Sequence, residues 1–507
     1  MNTSRARVST FLRENGHLIL VALLSMATLV IRNGQTGWHR DELDILDNAR
    51  YLAWGYVSYP PVSPLLARAA LTLFGPSLIG VRLFPGLARA VAIILTGLMA
   101  RELGGKRWAE ALAAVAALVA PVGLLGGVLF SYSAFDFMWW VTVAYFMIRL
   151  LKSENPRWWL ALGVVLGVGM MTKYTIAYLV LGLVAGVLLT PARRWLRSRW
   201  LWAGVGLSLL IVLPNVIWQV RNDFITLDFL TSIHARDIRI GRTEGYLVEQ
   251  LVFSTHPFTI PIWMSGLYFY FFAAPGRRYR ALGWMYLVPF LLLYFTQGRS
   301  YYLAAAYPML FAGGAVAIEG WLARLSATAG RWVKGGIWVA LAIGAVPGAA
   351  LALPVAPVNS SVWNVVSDIN GELNEQIGWP ELVETVAGIF AALPEAQRAQ
   401  TGILTGNYGE AGAINLYGPA YGLPTAISGV NSYWQRGYGD PPPTRLIILG
   451  MNLEEASRYF RACEIVARAT NTLGVLNEES EDHPSILMCG EARRSWPETW
   501  ERIRTYG

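Results

Sequence analysis

Two adjacent carboxylates, Asp41 and Glu42, are the residues of this sequence whose types and spacing point most directly to chemistry. A positioned carboxylate can accept a proton from a hydroxyl while that hydroxyl forms a new bond. The pair follows the first apolar segment of the chain and precedes many more, so we predict a catalytic centre at a membrane surface. The alternative is that the acids only stabilise a helix N-terminus, where negative charge is favourable.

The pair belongs to a long segment, residues 33–78, which we predict to be an amphipathic outer loop. Within it, Glu42–Trp54 carries leucine, isoleucine and alanine largely on one helical face, which predicts an interfacial helix lying on the membrane. Tyr59-Pro60-Pro61 follows, and a double proline fixes an extended, rigid turn. These features favour an active-site loop over a simple connection.

Further charged and polar side chains lie at the predicted outer ends of apolar segments; they are Arg82, Asp136, Lys173, Tyr174 and Arg299. Each basic residue has a simple alternative explanation, because lysine and arginine near span ends routinely extend to water. Several of them nevertheless occupy one predicted membrane depth. We therefore predict a cluster of cations on the outer side that binds the phosphate of a lipid carrier.

The composition places these residues in a membrane protein. Apolar residues make up 54% of the chain and charged residues 15%, with a mean hydropathy of +0.40, whereas soluble proteins carry about 25% charged residues. Apolar runs long enough to cross a bilayer recur as far as residue 354. They predict about eleven transmembrane helices, at 16–32, 79–101, 108–127, 135–151, 158–174, 175–190, 200–220, 251–273, 281–297, 302–320 and 336–354.

Basic residues predict the orientation of these spans. They concentrate in every second connection, at 5–13, 101–107, 149–157, 193–199, 277–280 and 324–334. Short loops rich in lysine and arginine face the cytoplasm, so we predict a cytoplasmic N-terminus and an outer C-terminus. The first span lacks a small-residue cleavage site at 32–35, which favours a retained anchor over a cleaved signal peptide.

Residues 355–507 are predicted to form a separate domain after a transmembrane domain at 1–354. Their net charge is −8, whereas residues 1–354 carry +16. Strand-like runs alternate with helical ones, which predicts a small α/β domain outside the membrane. The predicted strands are Gly402–Thr405 and Arg445–Leu449, and the predicted helices are Glu381–Leu393 and Leu453–Ala467.

The two cysteines, Cys463 and Cys489, both fall in this C-terminal domain. In an oxidising compartment they either form a disulfide or remain two separate thiols, and spacing alone does not decide between these. The sequence shows no basic stripe interleaved with aromatic residues, so we exclude nucleic acid as a partner. It also lacks the common nucleotide-binding and metalloprotease motifs.

An ordered set of motifs resembles the bacterial branch of the dolichyl-phosphate-mannose protein mannosyltransferase family. This is glycosyltransferase family 39 with its relatives, among them the aminoarabinose transferase of lipid A and sugar transferases of the lipopolysaccharide core. The resemblance covers most of residues 30–320, and the C-terminal domain, with Asn407-Tyr408-Gly409-Glu410-Ala411, resembles the tail of many bacterial members. Its motifs are Asp41-Glu42, Trp54-Gly55-Tyr56, Tyr59-Pro60-Pro61, Phe74-Gly75-Pro76-Ser77, Val81-Arg82-Leu83, Ser133-Ala134-Phe135-Asp136, Thr172-Lys173-Tyr174, Pro214-Asn215 with Trp218, Arg299-Ser300-Tyr301-Tyr302-Leu303 and Tyr307-Pro308.

The resemblance implies a polytopic α-helical membrane protein of the GT-C type with a C-terminal periplasmic α/β domain. It implies transfer of a sugar from a polyprenyl-phosphate donor to lipid A or lipopolysaccharide, a protein or a wall glycan. The reaction takes place at the periplasmic side of the bacterial cytoplasmic membrane, among membrane lipids. No cofactor is required; the acid pair and His39 leave room for a divalent metal, but the resemblance does not imply one.

The resemblance also implies roles for individual residues. Asp41 would deprotonate the acceptor hydroxyl as the sugar inverts, and Glu42 would position the acceptor or share the role of base. Lys173 and Arg299 would hold the donor phosphate, with Arg82 as a third candidate. The predicted substrate-binding residues are Tyr59, Asp136, Tyr174, Tyr301 and Tyr302.

Two other classes of protein are weighed against an enzyme. A transporter or flippase would carry ionisable groups near the bilayer midplane, usually with repeated halves, whereas the candidate residues here gather at span ends and no internal repeat is evident. A non-catalytic scaffold would keep the C-terminal domain but would not need the acids or the cations. The sequence therefore favours an enzyme.

Overall fold

A computed structural model describes residues 13–27, 36–354 and 356–507 of the chain. These residues form two compact units. The helical unit consists of the described residues within Met1–Asn33, Arg82–Val220 and Arg236–Val355. The mixed unit consists of those within Gly34–Val81, Arg221–Ala235 and Ala356–Gly507, so the predicted outer loop groups with the C-terminal residues.

The helical unit follows the predicted order of apolar segments. Its first helix is described at 13–27; the rest of predicted span 16–32, the basic residues before 13 and the segment 32–35 lie outside the described residues. The other α-helices, some of which begin or end just beyond the unit, are Leu78–Glu102, Arg107–Val119, Pro121–Val128, Tyr132–Ser153, Trp158–Met170, Ile176–Leu188, Arg199–Arg221, Tyr246–Val252, Ile260–Phe271, Arg280–Phe295, Tyr307–Leu322 and Ala327–Ala352. Its 3-10 helices are Pro191–Arg197, Pro257–Thr259, Ala274–Tyr279 and Ser300–Ala306.

Within the described ranges, five helical segments are long and apolar enough to cross a membrane, which makes the chain a multi-pass membrane protein. They are Leu78–Glu102, Tyr132–Ser153, Arg199–Arg221, Ser300–Leu322 and Ala327–Ala352. A sixth results if Ile176–Leu188 and Pro191–Arg197, which are bent by 100°, form one span. The count of eleven spans stays a prediction.

Two predicted spans are interrupted rather than continuous. The span at 108–127 breaks at Ala120, which is extended because the residue before a proline disfavours the helical conformation, and Pro121 starts a new helix. The span at 251–273 begins at the end of the helix Tyr246–Val252, is interrupted, and resumes as the 3-10 helix Pro257–Thr259 and the α-helix Ile260–Phe271. That short helix packs so closely on Tyr307–Leu322 that a Cβ at Gly266 would lie 2.1 Å from the carbonyl oxygen of Leu310.

The mixed unit contains one five-stranded sheet. Its strands are β1 (Thr401–Thr405), β2 (Ile427–Ser428), β3 (Arg445–Leu449), β4 (Glu464–Arg468) and β5 (Ser485–Cys489), in the order β2-β1-β3-β5-β4. β1 is parallel to β2 and β3, whereas β5 is antiparallel to β3 and β4. The α-helices are Arg40–Asn48, Val62–Phe74, Ile225–Arg239, Ser361–Ile369, Trp379–Ala392, Glu395–Arg398, Tyr408–Tyr417, Asn431–Trp434, Leu453–Tyr459, Glu478–Glu481 and Trp496–Arg502, with 3-10 helices at Gly371–Gln376 and Gly418–Tyr421.

The predicted helix Leu453–Ala467 is wrong in its second half. The helix ends at Tyr459, Phe460 is buried in extended conformation, and the chain continues into β4. Pairing with β5 outweighs the local helical pattern there. Cys463, directly before β4, is joined to Cys489 at the end of β5, which settles the open question of their pairing.

The predicted interfacial helix Glu42–Trp54 is also corrected. The helix is Arg40–Asn48, and every residue from Glu42 to Asn48 is buried inside the mixed unit rather than spread on a membrane surface. It packs against Tyr408–Tyr417 so closely that a Cβ at Gly412 would lie 2.8 Å from the carbonyl oxygen of Leu43. Its polar side chains find partners within the protein, which explains why an amphipathic pattern does not require a membrane face here.

Candidate active site

Lys173 is the centre of a cation site in the helical unit. It lies in the link between Trp158–Met170 and Ile176–Leu188, and its ammonium donates to Ser133 Oγ at 2.9 Å. The same ammonium lies 5.1, 5.0 and 4.6 Å from the ring centroids of Tyr132, Tyr301 and Tyr302. Among the described residues, no carboxylate forms an ion pair with it. The cation is therefore held by a hydroxyl and by aromatic faces rather than by a carboxylate ion pair, and the buried Asp136 carboxylate interacts with it electrostatically.

Arg299 lies beside this cation but is already paired. It precedes the 3-10 helix Ser300–Ala306, and its Nε and Nη2 donate to the two carboxylate oxygens of Asp237 at 2.6 and 2.9 Å. Its Nη1 donates to the Tyr301 hydroxyl at 3.4 Å, and the ring of that tyrosine faces Lys173. The structure thus brings Lys173, Arg299, Tyr301 and Tyr302 together. Asp237 was not predicted from the sequence, because its partner Arg299 lies 62 residues away in the chain.

The other predicted residues of the helical unit have identified surroundings. Asp136 is buried in the Tyr132–Ser153 helix, and its Oδ2 accepts from Thr175 Oγ1 at 2.8 Å, two residues after Lys173. The Tyr174 hydroxyl donates to Asn215 at 2.9 Å and accepts from Gln219 at 3.0 Å, both on Arg199–Arg221. Arg82 is only 1% exposed. The roles of Asp136, Tyr174 and Arg82 stay predictions.

The predicted catalytic acids Asp41 and Glu42, in the mixed unit, have different surroundings. His39 is the N-cap of Arg40–Asn48, and the Glu42 carboxylate accepts its backbone N–H at 2.9 Å, while His39 Nδ1 accepts the N–H of Asp41 at 3.1 Å. Glu42 is fully buried by this capping box. Asp41 is partly exposed, and its Oδ1 accepts from the Tyr408 hydroxyl at 2.9 Å. Glu42 thus takes the capping position that was the alternative for the acid pair, and the catalytic roles of Asp41 and Glu42 stay predictions.

This difference predicts that Glu42→Gln keeps most of the sugar-transfer activity that the family resemblance implies. Glutamine still accepts the His39 N–H through its side-chain oxygen, so the cap survives, whereas Glu42→Ala loses it at a cost of about 1 kcal/mol. We expect Glu42→Gln to change kcat less than tenfold and Glu42→Ala to lower the melting temperature. A loss of transfer in a stably folded Glu42→Gln variant would return Glu42 to the role of base.

The surroundings of Asp41 come from distant parts of the chain. Arg40 Nε donates to the Tyr408 hydroxyl at 3.1 Å, and the Arg40 guanidinium pairs with Glu478 and lies 4.0 Å from Glu375. Because His39 Nδ1 accepts a hydrogen bond, the ring proton is on Nε2, which donates to Glu372 at 2.7 Å. No group of three or more metal-ligating side chains is found in the described parts of the chain.

Tyr59 is buried beneath the same helix. Its hydroxyl donates to Asp44 at 2.5 Å and accepts from Asn48 at 2.7 Å, and burial raises the pKa of Asp44 to about 7. The structure therefore commits the Tyr59 hydroxyl to the protein interior. Its predicted contact with substrate is not tested by this arrangement.

Buried carboxyls make the stability of the mixed unit depend on pH. Burial raises the pKa of Asp44 to about 7 and that of Glu410 to about 8; burial, then repulsion from Glu375, raises the pKa of Glu479 to about 7. The folded protein keeps protons that the unfolded chain releases above pH 4–5. The free energy of unfolding therefore falls as the pH rises to about 8, by up to ~1.4 kcal/mol per pH unit for each group.

Melting temperatures of the detergent-solubilised protein between pH 5 and 8.5 measure this slope. Glu410→Gln, which cannot ionise, should flatten it, and an unchanged slope would contradict the assignment.

Part of the chain matches the model of a known protein family. The family model for dolichyl-phosphate-mannose-protein mannosyltransferase matches residues 58–218, a stretch that includes Arg82, Asp136 and Lys173. The resemblance to this family is confirmed. Asp41 and Arg299 lie outside the matched stretch.

The chain is also similar to curated glycosyltransferases. It is 28% identical over 237 residues to lipid A galacturonosyltransferase RgtD of Rhizobium johnstonii, covering 46% of this chain and 49% of that protein. It is 28% identical over 313 residues to lipopolysaccharide core galacturonosyltransferase RgtA of the same organism, covering 56% and 57%. The undecaprenyl phosphate-α-4-amino-4-deoxy-L-arabinose arabinosyl transferase of Pseudomonas aeruginosa is 27% identical over 37% of this chain and 32% of its own length. The matches thus span about a third to somewhat over half of these relatives.

Solved structures show the fold. ArnT from Cupriavidus metallidurans superimposes with a TM-score of 0.57 at 16% identity, over 93% of this chain and 97% of that one. The mycobacterial arabinofuranosyltransferase AftD gives a TM-score of 0.54 at 14% identity, over 93% of this chain and 41% of that one. The chain therefore has the helical GT-C fold seen in ArnT.

Proposed function

We propose that this protein is an integral-membrane glycosyltransferase that moves a sugar from a polyprenyl-phosphate donor to an acceptor hydroxyl. The acceptor is a lipid A or lipopolysaccharide glycolipid, a protein or a wall glycan, and the reaction proceeds with inversion at the periplasmic face of the cytoplasmic membrane. We propose the class of sugar donor from the similar proteins. The curated relatives are named for galacturonosyl and aminoarabinosyl transfer, and one similar solved structure is ArnT bound to undecaprenyl phosphate.

The observation that carries the proposal is the Lys173 site. An ammonium held by Ser133 and three tyrosine rings, without a direct ion pair to a carboxylate among the described residues, suits an anionic group from outside the chain. A phosphate leaving group gains negative charge as the bond to sugar C1 breaks. A fixed cation stabilises that charge more in the transition state than in the ground state, which is the condition for faster chemistry.

In the proposed reaction the acceptor oxygen forms a bond to sugar C1 while the bond from C1 to the phosphate oxygen breaks. The hydroxyl proton passes to the Asp41 carboxylate, and the polyprenyl phosphate leaves with the electron pair of the broken bond. Because a free hydroxyl is far less acidic than a carboxylic acid, the proton transfer accompanies bond formation rather than preceding it. Lys173 and Arg299 hold the phosphate throughout.

The test is sugar transfer by the purified full-length protein in nanodiscs. Undecaprenyl-phosphate donors carrying radiolabelled galacturonic acid, 4-amino-4-deoxy-arabinose or mannose are each supplied with lipid A, lipopolysaccharide core or an envelope extract. We expect time-dependent release of polyprenyl phosphate together with a labelled acceptor for at least one donor. The absence of transfer across the whole panel would contradict the proposal, and donor movement between leaflets of vesicles without transfer would identify a flippase instead.

A further inference from the structure

We infer that Tyr408 is a positioning residue for the catalytic base, and that it directs one oxygen of Asp41 so that the other faces the acceptor. The inference rests on the proposed function. It assigns a part in the reaction to a residue near the start of a helix in the C-terminal part of the chain, 367 residues from Asp41. The sequence analysis assigned Tyr408 no part in the reaction.

The first step of the argument is the direction of the hydrogen bond. A tyrosine hydroxyl has one proton to donate, and Arg40 Nε, which only donates, already approaches the Tyr408 oxygen at 3.1 Å. The Tyr408 proton is therefore left for Asp41 Oδ1 at 2.9 Å. Among the residues that the structure describes, none is hydrogen-bonded to Asp41 Oδ2, so that oxygen is available to a ligand.

The second step is the rigidity of the donor. Tyr408 is partly buried and is the first residue of Tyr408–Tyr417, whose N-cap Asn407 forms a capping box with Glu410. The Arg40 guanidinium lies 5.1 Å from the centre of the Tyr408 ring and is itself paired with Glu478. Burial and the nearby Asp41 charge raise the pKa of Tyr408, so the phenol stays protonated and remains a donor at every pH at which the protein would work.

The third step is the effect on Asp41. A hydrogen bond donated to one oxygen of a carboxylate favours the charged form of that carboxylate and restricts rotation of its plane. Removing the bond should make the carboxylate harder to ionise and free to rotate. The titratable or charged groups that act on Asp41 from its own helix and from the elements packed against it are His39, Arg40, Glu42, Asp44, Glu375 and Tyr408.

The test compares Tyr408→Phe with Tyr421→Phe in the full-length protein. Both substitutions remove a hydroxyl that donates to a carboxylate, but Tyr421 is exposed and bonds Glu384. For Tyr408→Phe we expect kcat to fall roughly 10- to 100-fold, donor KM to stay within about twofold, and the acid limb of the kcat/KM profile to move up by about 0.5–1 pH unit. Tyr421→Phe should match the wild type in all three.

The outcomes separate the inference from the proposed function. If the wild type transfers sugar and Tyr408→Phe keeps its pH profile, or loses activity only through donor KM, the inference is overturned while the proposed function stands. If the wild type transfers no sugar, the proposed function fails first. Should Tyr408→Phe not fold, replacing Tyr408 with 3,5-difluorotyrosine gives a stronger donor, and the acid limb should then move to lower pH; an unmoved limb would also overturn the inference.

Discussion

Replacing Asp41 with asparagine is expected to reduce sugar transfer roughly 10²- to 10⁴-fold, the range that a positioned general base contributes. Asparagine has nearly the same shape and still accepts the Tyr408 hydrogen bond, but its amide cannot take the proton of the acceptor hydroxyl. Because Asp41 is partly exposed and is not the capping residue, the helix Arg40–Asn48 should remain intact. The measurement is kcat for transfer from the preferred donor, with the melting temperature recorded in parallel.

The matched control for this substitution is Asp482→Asn, the same chemical change at an exposed position of the mixed unit. It should leave kcat and melting temperature unchanged. Turnover like that of the wild type in Asp41→Asn would remove Asp41 from the mechanism. A large loss of melting temperature in Asp41→Asn but not in Asp482→Asn would instead indicate a structural role.

Replacing Lys173 with methionine should lower kcat/KM for the donor by about 10²-fold or more, because a charged hydrogen bond to phosphate contributes about 1.5–3 kcal/mol and the transition state adds charge. Methionine fills a similar volume against the three tyrosine rings, so packing is largely preserved. Lys173→Arg retains the charge but spreads it over a planar guanidinium. Its kcat/KM for the donor should lie between that of the wild type and that of Lys173→Met.

Lys152→Met provides the control for that experiment, since Lys152 is an exposed lysine of the helical unit paired with Glu102. Its donor kinetics should match the wild type. If Lys173→Met bound and turned over the donor as the wild type does, the cation held by Ser133 would have only a structural purpose. A binding assay with undecaprenyl phosphate alone distinguishes loss of donor affinity from loss of chemistry.

The sequence predicts local features of this protein well and long-range partnerships poorly. The Tyr132–Ser153 helix and the strand β3 are confirmed close to their predicted bounds, because each depends on an apolar run of the right length. The strand β4 was read as helix, because only its pairing with β5 makes Glu464–Arg468 extended. The hydrophobic pattern of residues 464–468 alone does not predict that pairing.

In the candidate site, too, local features were easier to predict than long-range partners. Lys173 and Arg299 both contact Tyr301, whereas the phosphate-binding role of the cation cluster stays a prediction. The capping role of Glu42 was the stated alternative for the acid pair. Tyr408 and Asp237 were not predicted. Each becomes meaningful only when folding brings it to a residue far away in the chain, 367 residues for Tyr408 and Asp41, and no spacing in the sequence reveals that proximity.

The packing of Arg40–Asn48 against Tyr408–Tyr417 sets an order for biogenesis. Ribosomes add about 5–20 residues per second, so the partner of Asp41 is synthesised roughly 20–70 s after Asp41 itself. During that interval Asp44, Asp47 and Asn48 also lack contacts with the later residues Tyr433 and Arg436. Arg40, which bonds Tyr408, also lacks its partner Glu478 until later still. Under the proposed function, a nascent chain that has already inserted its early helices would therefore be unable to transfer sugar until translation has passed residue 478.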